Sequence, residues 1–232
     1  MHTICWSPKG GSGTTVVAAT IALAAPRPTL LIDFAGDLAA CLGAAEPPTG
    51  DGRSGSGHDG ILDWLRSDAA PERLDDLAQP IEDGLDLIRR GTLDGGPIDE
   101  SRWGLLAQHL AERDGDTVVD IGTLSTEQRP PDALWRAADR RLMVIRPCYL
   151  GLRLASRSRA VLDGRSGGPG IDGVIVVDEP GRSLGAADIE RCIGAPVVAA
   201  TMLDPSVARA VDAGLLLTRR PRSLQAIAAL AR

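Results

Sequence analysis

A doubly wound α/β fold, with a mostly parallel sheet wrapped by helices on both faces, is predicted by three observations. Short apolar runs alternate with helical patterns along the whole 232 residues, the order from which parallel sheets are built. Several of those runs are apolar at successive positions and not only at alternate ones, as strands covered on both faces must be. The first strand passes to the first helix through a glycine-rich loop, a setting in which backbone N–H groups converge on an anion.

The first strand is carried by Thr3, Ile4, Cys5 and Trp6, and the loop reads Pro8-Lys9-Gly10-Gly11-Ser12-Gly13-Thr14-Thr15. Residues 16–24 continue as a helix. Glycines suit the loop because they reach φ > 0 and leave no Cβ between backbone and ligand. Thr15 stands where a phosphate-binding loop places the hydroxyl that meets Mg²⁺. The standard G-x-x-x-x-G-K-[ST] pattern is nevertheless broken twice: counted back from Gly13, its first glycine falls on Pro8 and its lysine on Thr14. A lysine stands at the front instead, and Lys9 is the only lysine of the chain. The competing reading is an ordinary glycine turn with a solvated lysine; the strand and helix on either side argue against it.

A second buried strand spans 29–33 and ends in Asp33, at the carboxyl edge where such sheets bind ligands. Asp37 follows, ahead of an apolar helical run over 38–42, where a helix N-cap is the simpler reading. Residues 46–60 are rich in Gly, Pro and Ser, without apolar period, and are expected to form a mobile loop. Two short helices are expected over 60–65 and 71–77 with Trp64 packed between them, then a strand over 84–91. Residues 100–113 read as an amphipathic helix that buries Trp103, Leu105, Leu106 and Leu110. The run 116–122 is a strand with Asp120 near its end, the place of a carboxylate that holds water on Mg²⁺. Strands over 140–147 and 173–180 flank one helix; a helix, Gly194 and a strand follow. Asp204-Pro205 opens a helix closed by Gly214, and a short helix ends the chain over 223–232.

The front lysine, the glycines and the strand-terminal Asp33 and Asp120 together resemble the deviant P-loop of the ParA/MinD family of ATPases. Thr14 in place of the loop lysine looks like the atypical CpaE/TadZ branch. The likeness covers nearly the whole chain and is weakest over 46–99. It implies a single P-loop NTPase domain of SIMIBI type over residues 1–232. Gly10, Gly11, Ser12, Gly13, Thr14, Thr15 and Pro147 would contact ATP or ADP, and Thr15, Asp33 and Asp120 would serve Mg²⁺. Lys9 would reach across a homodimer to the partner's nucleotide. The family's second aspartate, which orients the attacking water, falls on Ala35 here, so Asp37 is the candidate for that role. The Asn that reads adenine in the family is replaced by Asp178 and Glu179.

Composition bounds the rest. Hydrophobic content of 44% and charged content of 24% fit a soluble globular protein, and an aromatic share of 3% leaves the core to aliphatic side chains. A net charge of −6 argues against wholesale coating of nucleic acid; Arg153, Arg157 and Arg159, and Arg219, Arg220 and Arg222, read as solvated faces. Cys5, Cys41, Cys148 and Cys192 are spaced for neither zinc nor redox chemistry and are expected to be buried thiols. The start of the chain and the absence of a long apolar run predict a cytoplasmic protein. The function implied is a nucleotide-dependent dimeric switch that positions intracellular cargo through a protein partner, with weak or absent hydrolysis and weak nucleotide binding. A pseudo-ATPase scaffold and, behind it, a DNA-binding partition protein are the alternatives.

Overall fold

The structure is a computed structural model and describes residues 1–44, 60–91, 96–124, 130–163 and 170–232. Eight strands form one sheet: β1 (His2–Ser7), β2 (Thr29–Asp33), β3 (Gln79–Glu82), β4 (Leu85–Ile88), β5 (Asp116–Thr123), β6 (Arg140–Ile145), β7 (Gly173–Asp178) and β8 (Val197–Met202). Their order is β3-β4-β2-β5-β1-β6-β7-β8, parallel throughout except for β3 against β4. The helices are α1 (Thr14–Ala24), α2 (Leu38–Leu42), α3 (Ile61–Leu65), α4 (Glu100–Glu112), α5 (Asp132–Ala137), α6 (Tyr149–Asp163), α7 (Ala186–Ile193), α8 (Pro205–Asp212) and α9 (Gln225–Ala228).

Every residue of β1 and of β2 is buried, which is why these stretches read as continuous apolar runs instead of alternating ones. Alternate side chains feed two cores. Ile4, Trp6, Leu30 and Ile32 enter one, which α3 to α7 cover; Cys5, Leu31 and Val118 enter the other, under α1, α2 and α9. In the first core Trp6 meets Trp135 edge to face, with ring centroids 5.9 Å apart and planes at 75°, a favoured aromatic geometry. Residues 17–22 of α1 are buried without a gap, because the helix lies between the sheet and α9. Its alanines permit that double approach.

The structure corrects several expectations. The strand read over 84–91 is confined to Leu85–Ile88, and the antiparallel edge strand β3 beside it was not anticipated. Residues 71–77 form a 3-10 helix. Trp64 is buried as expected and its indole N–H donates to the Ala70 carbonyl at 3.1 Å. In α4 the buried stripe is Leu106, Ala107 and Leu110; Leu105 is exposed, since it lies 100° of helical turn from Leu106 on the far side of the stripe. Cys5 and Cys41 are buried, but Cys148 is half-buried and Cys192 exposed. The loop expected over 46–60 lies outside the described residues except for Gly60. The terminal segment packs through Leu224 and Ile227 against the second core. Among the described residues no helix is long and apolar enough to cross a membrane.

Candidate functional site

Parallel pairing brings the ends of β1, β2 and β5 to one edge of the sheet, near the point where the strand order reverses. Asp33 pairs in register with Asp120, and Cys5 with Asp120. Side chains in register on neighbouring strands share a face, so both carboxylates point toward α1, whose first turn carries Thr14 and Thr15.

The glycine loop is built as the sequence requires. Gly11 has φ 73° and Gly13 φ 92°, values that other residues reach only with strain. Gly13 is the left-handed residue preceding α1, and no side chain caps that helix, so its first N–H groups face the cleft. The buried Ser7 and Ser12 hydroxyls both donate to the Lys9 carbonyl, and the Lys9 N–H donates to Ser7 Oγ at 3.1 Å. The Ser12 hydroxyl therefore commits its proton to bracing the loop.

Two clefts flank this loop and share Gly11, Gly13 and Val16. One, of about 700 Å³, is polar: it runs from Gly11 to Val16 on one side to Phe34, Ala35, Asp37 and Arg90 on the other, over residues 121–124. The second, of about 290 Å³, is apolar, lined by Val16, Val17, Val177, Leu203, Val207 and Leu224 among others, with Arg146 at its rim. Thr14, Thr15 and Asp37 thus line the polar cleft. Lys9, Gly10, Asp33, Asp120 and Pro147 line neither; Asp33, Asp120 and Pro147 are buried.

Asp120 is fully buried. Its Oδ1 accepts the Gly122 N–H at 2.9 Å, while Oδ2 has no hydrogen-bond partner. Burial pushes its carboxyl up to about 7; the nearby Thr15 hydroxyl opposes that shift and the Asp33 charge adds to it. Asp33 is used differently. Its two oxygens accept the N–H groups of Gly36 at 2.6 Å and Leu38 at 3.0 Å, bonds that favour its charge, although burial outweighs them and raises its pKa. This corrects the N-cap reading of Asp37. That residue precedes α2 but makes no capping hydrogen bond; Asp33 caps the helix from the strand end and leaves Asp37 exposed at the cleft. An orphaned, buried carboxylate oxygen beside a threonine hydroxyl fits a magnesium site approached through water. No group of three or more His, Cys, Asp or Glu converges as a metal centre among the described residues.

Ala35 faces Gly122, where an added Cβ would lie 3.0 Å from the Ala35 Cβ, so the position expected for a water-orienting aspartate presents only a methyl group. Glu179 is held by Arg182 and by Arg146 at 2.9 Å; Arg182 first and Arg146 after it pull its pKa down. Sequence reasoning missed Arg90, Phe34 and Arg146. Arg90 had one signal, its place just past the carboxyl end of a strand. Of the arginines weighed for nucleic acid, Arg159 donates to the carbonyls of Ile193 and Gly194 at 2.8 Å and Arg220 pairs with Glu82 at 2.7 Å. Arg153 and Arg157 are exposed.

No protein-family model matches the sequence, and no curated protein matches it. Solved structures do. A ParA family ATPase from Chlorobium tepidum is matched with a TM-score of 0.70 at 20% identity over 99% of this chain and 98% of that one. A chain of the MinC:MinD cell division complex from Aquifex aeolicus gives 0.73 at 23% over 100% and 94%. The septum site-determining protein MinD with Mg-ADP from Pyrococcus horikoshii gives 0.74 at 20% over 100% and 95%. At these identities the likeness is one of fold: the chain has the α/β P-loop NTPase fold of these ATPases.

Proposed function

We propose that this chain is a nucleotide-operated switch of the ParA/MinD kind, nearest the CpaE/TadZ branch, acting as one domain over its whole length. ATP or ADP with Mg²⁺ binds at the glycine loop, two copies pair through the loop face, and the pair positions cargo through a partner protein. The cargo is pilus machinery, a plasmid or chromosome, or the division apparatus, in a cytoplasmic setting. The observation that carries the reading is the loop itself: two left-handed glycines and an uncapped helix start between a polar and an apolar cleft, at the carboxyl edge of a parallel sheet. In the matched structures, MinD is named with Mg-ADP and in complex with MinC.

The apolar cleft suits a base and the polar one the phosphates. Backbone N–H groups of residues 10–15 cradle the phosphates, with the Thr15 hydroxyl and Asp120 held for Mg²⁺. When bound, that ion supplies charge neutralisation at the phosphates. Lys9 lines neither cleft of its own chain, which supports a role toward a second copy.

Hydrolysis is where the site is poorest. Thr14 removes a cation from the phosphates and Ala35 removes the carboxylate that would orient water. Losses of this kind cost about 10²–10³ in rate each. We therefore expect ATP and ADP to bind in the micromolar to near-millimolar range, the lysine contact being worth about 1.5–3 kcal/mol, with negligible turnover. Thr14→Lys should rescue little, because Ala35 remains. Calorimetric titration of Mg-ATP and Mg-ADP, beside a phosphate-release assay, tests this. Steady turnover that disappears in Asp37→Ala would make Asp37 the working carboxylate and overturn the expectation of negligible hydrolysis. No binding at millimolar nucleotide would leave the scaffold reading, which Thr14 and Ala35 favour.

A further inference from the structure

We propose that Arg90 is the in-chain cation for the terminal phosphate of a bound nucleoside triphosphate, so that the site prefers triphosphate to diphosphate without a lysine in its loop. This rests on the reading of the clefts as a nucleotide site and adds to it the group that senses the third phosphate.

Arg90 is the one cationic side chain among the described residues that line the polar cleft, and it stands across from the glycine loop. Topology puts it there. Strand β4 runs parallel to β2 with Ile88 in register with Ile32, so Arg90 leaves the sheet beside the turn that runs from Asp33 to Asp37. Its backbone is anchored. The carbonyls of Arg89 and Arg90 accept the N–H groups of Ile61 and Leu62 at 2.9 and 3.0 Å. An added Cβ on Gly60 would lie 2.6 Å from the Arg90 carbonyl carbon, so the segment is pressed against the start of α3. The side chain then crosses the β2–α2 turn: its Cδ lies 3.3 Å and its Nη1 3.9 Å from where a Cβ at Gly36 would stand. A guanidinium on an anchored backbone loses less freedom on binding than one on a loose loop.

The order of the clefts sets which phosphate it meets. A base in the apolar cleft lies beyond the shared residues Gly11, Gly13 and Val16, so its phosphates cross the loop toward Thr15 and end at Asp37 and Arg90. A diphosphate stops over the loop. A third phosphate enters the polar cleft beside the exposed Asp37, where like charge repels it unless a cation is present. The loop offers Thr14 in place of that cation, and Arg90 offers a planar fork that matches phosphate oxygens.

The test is calorimetric titration of Mg-ADP and of the Mg²⁺ complex of the β,γ-imido analogue of ATP into wild type, Arg90→Gln and Arg90→Lys, with the melting temperature of each ligand-free chain recorded. Wild type is expected to prefer the triphosphate. Arg90→Gln should weaken triphosphate binding about tenfold or more, the worth of one charge-assisted contact, and leave ADP affinity within about twofold. Arg90→Lys, which keeps charge and length, should retain part of the preference and serves alone if the glutamine variant fails to fold. Equal loss of both affinities, an unchanged ratio, or no triphosphate preference in wild type overturns the proposal. Wild type that binds neither nucleotide removes the nucleotide reading and this inference with it; binding with a ratio indifferent to Arg90 removes this inference alone.

Discussion

Asp120 carries a cost in stability beside its proposed use in binding, and one substitution separates the two. Burial lifts its carboxyl from the ordinary value of 3.8 to about 7, so the folded state holds this proton more tightly than the unfolded chain does. Its contribution to stability is full below the ordinary value and is lost as pH rises through 7. Asp120→Asn keeps an acceptor for the Gly122 N–H and removes the buried charge. It should match wild type near pH 4 and exceed it at pH 8 by about 2–4 kcal/mol, read from denaturant midpoints, while weakening Mg-nucleotide binding. Opposite signs on stability and binding mark a residue kept for function. His2 works the other way. It is buried with neither ring nitrogen hydrogen-bonded, and burial pushes its pKa down to about 4, only partly offset by Asp139. Its share of stability is intact above about 6.5 and falls by about 3 kcal/mol as pH drops through 4. His2→Leu should remove that acid-side loss; an unchanged acid limb would show that the loss lies elsewhere. At this scale the placement of the loop glycines, Thr15, Asp33 and Asp120 was legible in the sequence, because each stands at or near a strand end or helix start. Which aspartate caps α2 was not, since Asp33 and Asp37 offer the same chemistry and only the turn decides between them.

Elements were legible where their burial is continuous. Strands β1, β2, β5, β6 and β7 announce themselves as apolar runs, and α1 follows from its loop. Strand β3 did not: it is short, carries Pro80 and Glu82, and pairs only along one edge, so nothing in its composition separates it from a loop. The interlock of α2 with the segment after α8 was equally silent. Gly43 ends α2 with φ 73°, and an added Cβ there would lie 1.9 Å from the Gly214 carbonyl oxygen. Backbone cannot yield as a flexible side chain does. Gly43→Ala should therefore destabilise by more than about 2 kcal/mol, whereas Gly84→Ala, also at positive φ but with nothing within 4 Å, should cost only the conformational strain of about 1–2 kcal/mol. Thermal melts of the two variants compare them directly; equal losses would mean that the Gly43 contact yields.

At the scale of the whole molecule, the doubly wound order was legible from alternation alone, and the structure places the glycine loop at the carboxyl edge that order implies. What alternation cannot reveal is whether the loop face meets a second copy. Lys9, the only lysine, stands at the mouth of the loop yet lines neither cleft of its own chain, and the proposed switch assigns it to a partner's nucleotide. The most direct measurement is the solution mass by sedimentation, for wild type and Lys9→Ala, with and without Mg-ATP. Mg-ATP is expected to shift wild type from the mass of one chain to that of two, while Lys9→Ala stays single with its melting temperature nearly unchanged. A mass indifferent to both nucleotide and Lys9 would contradict the proposed switch and leave a constitutive scaffold.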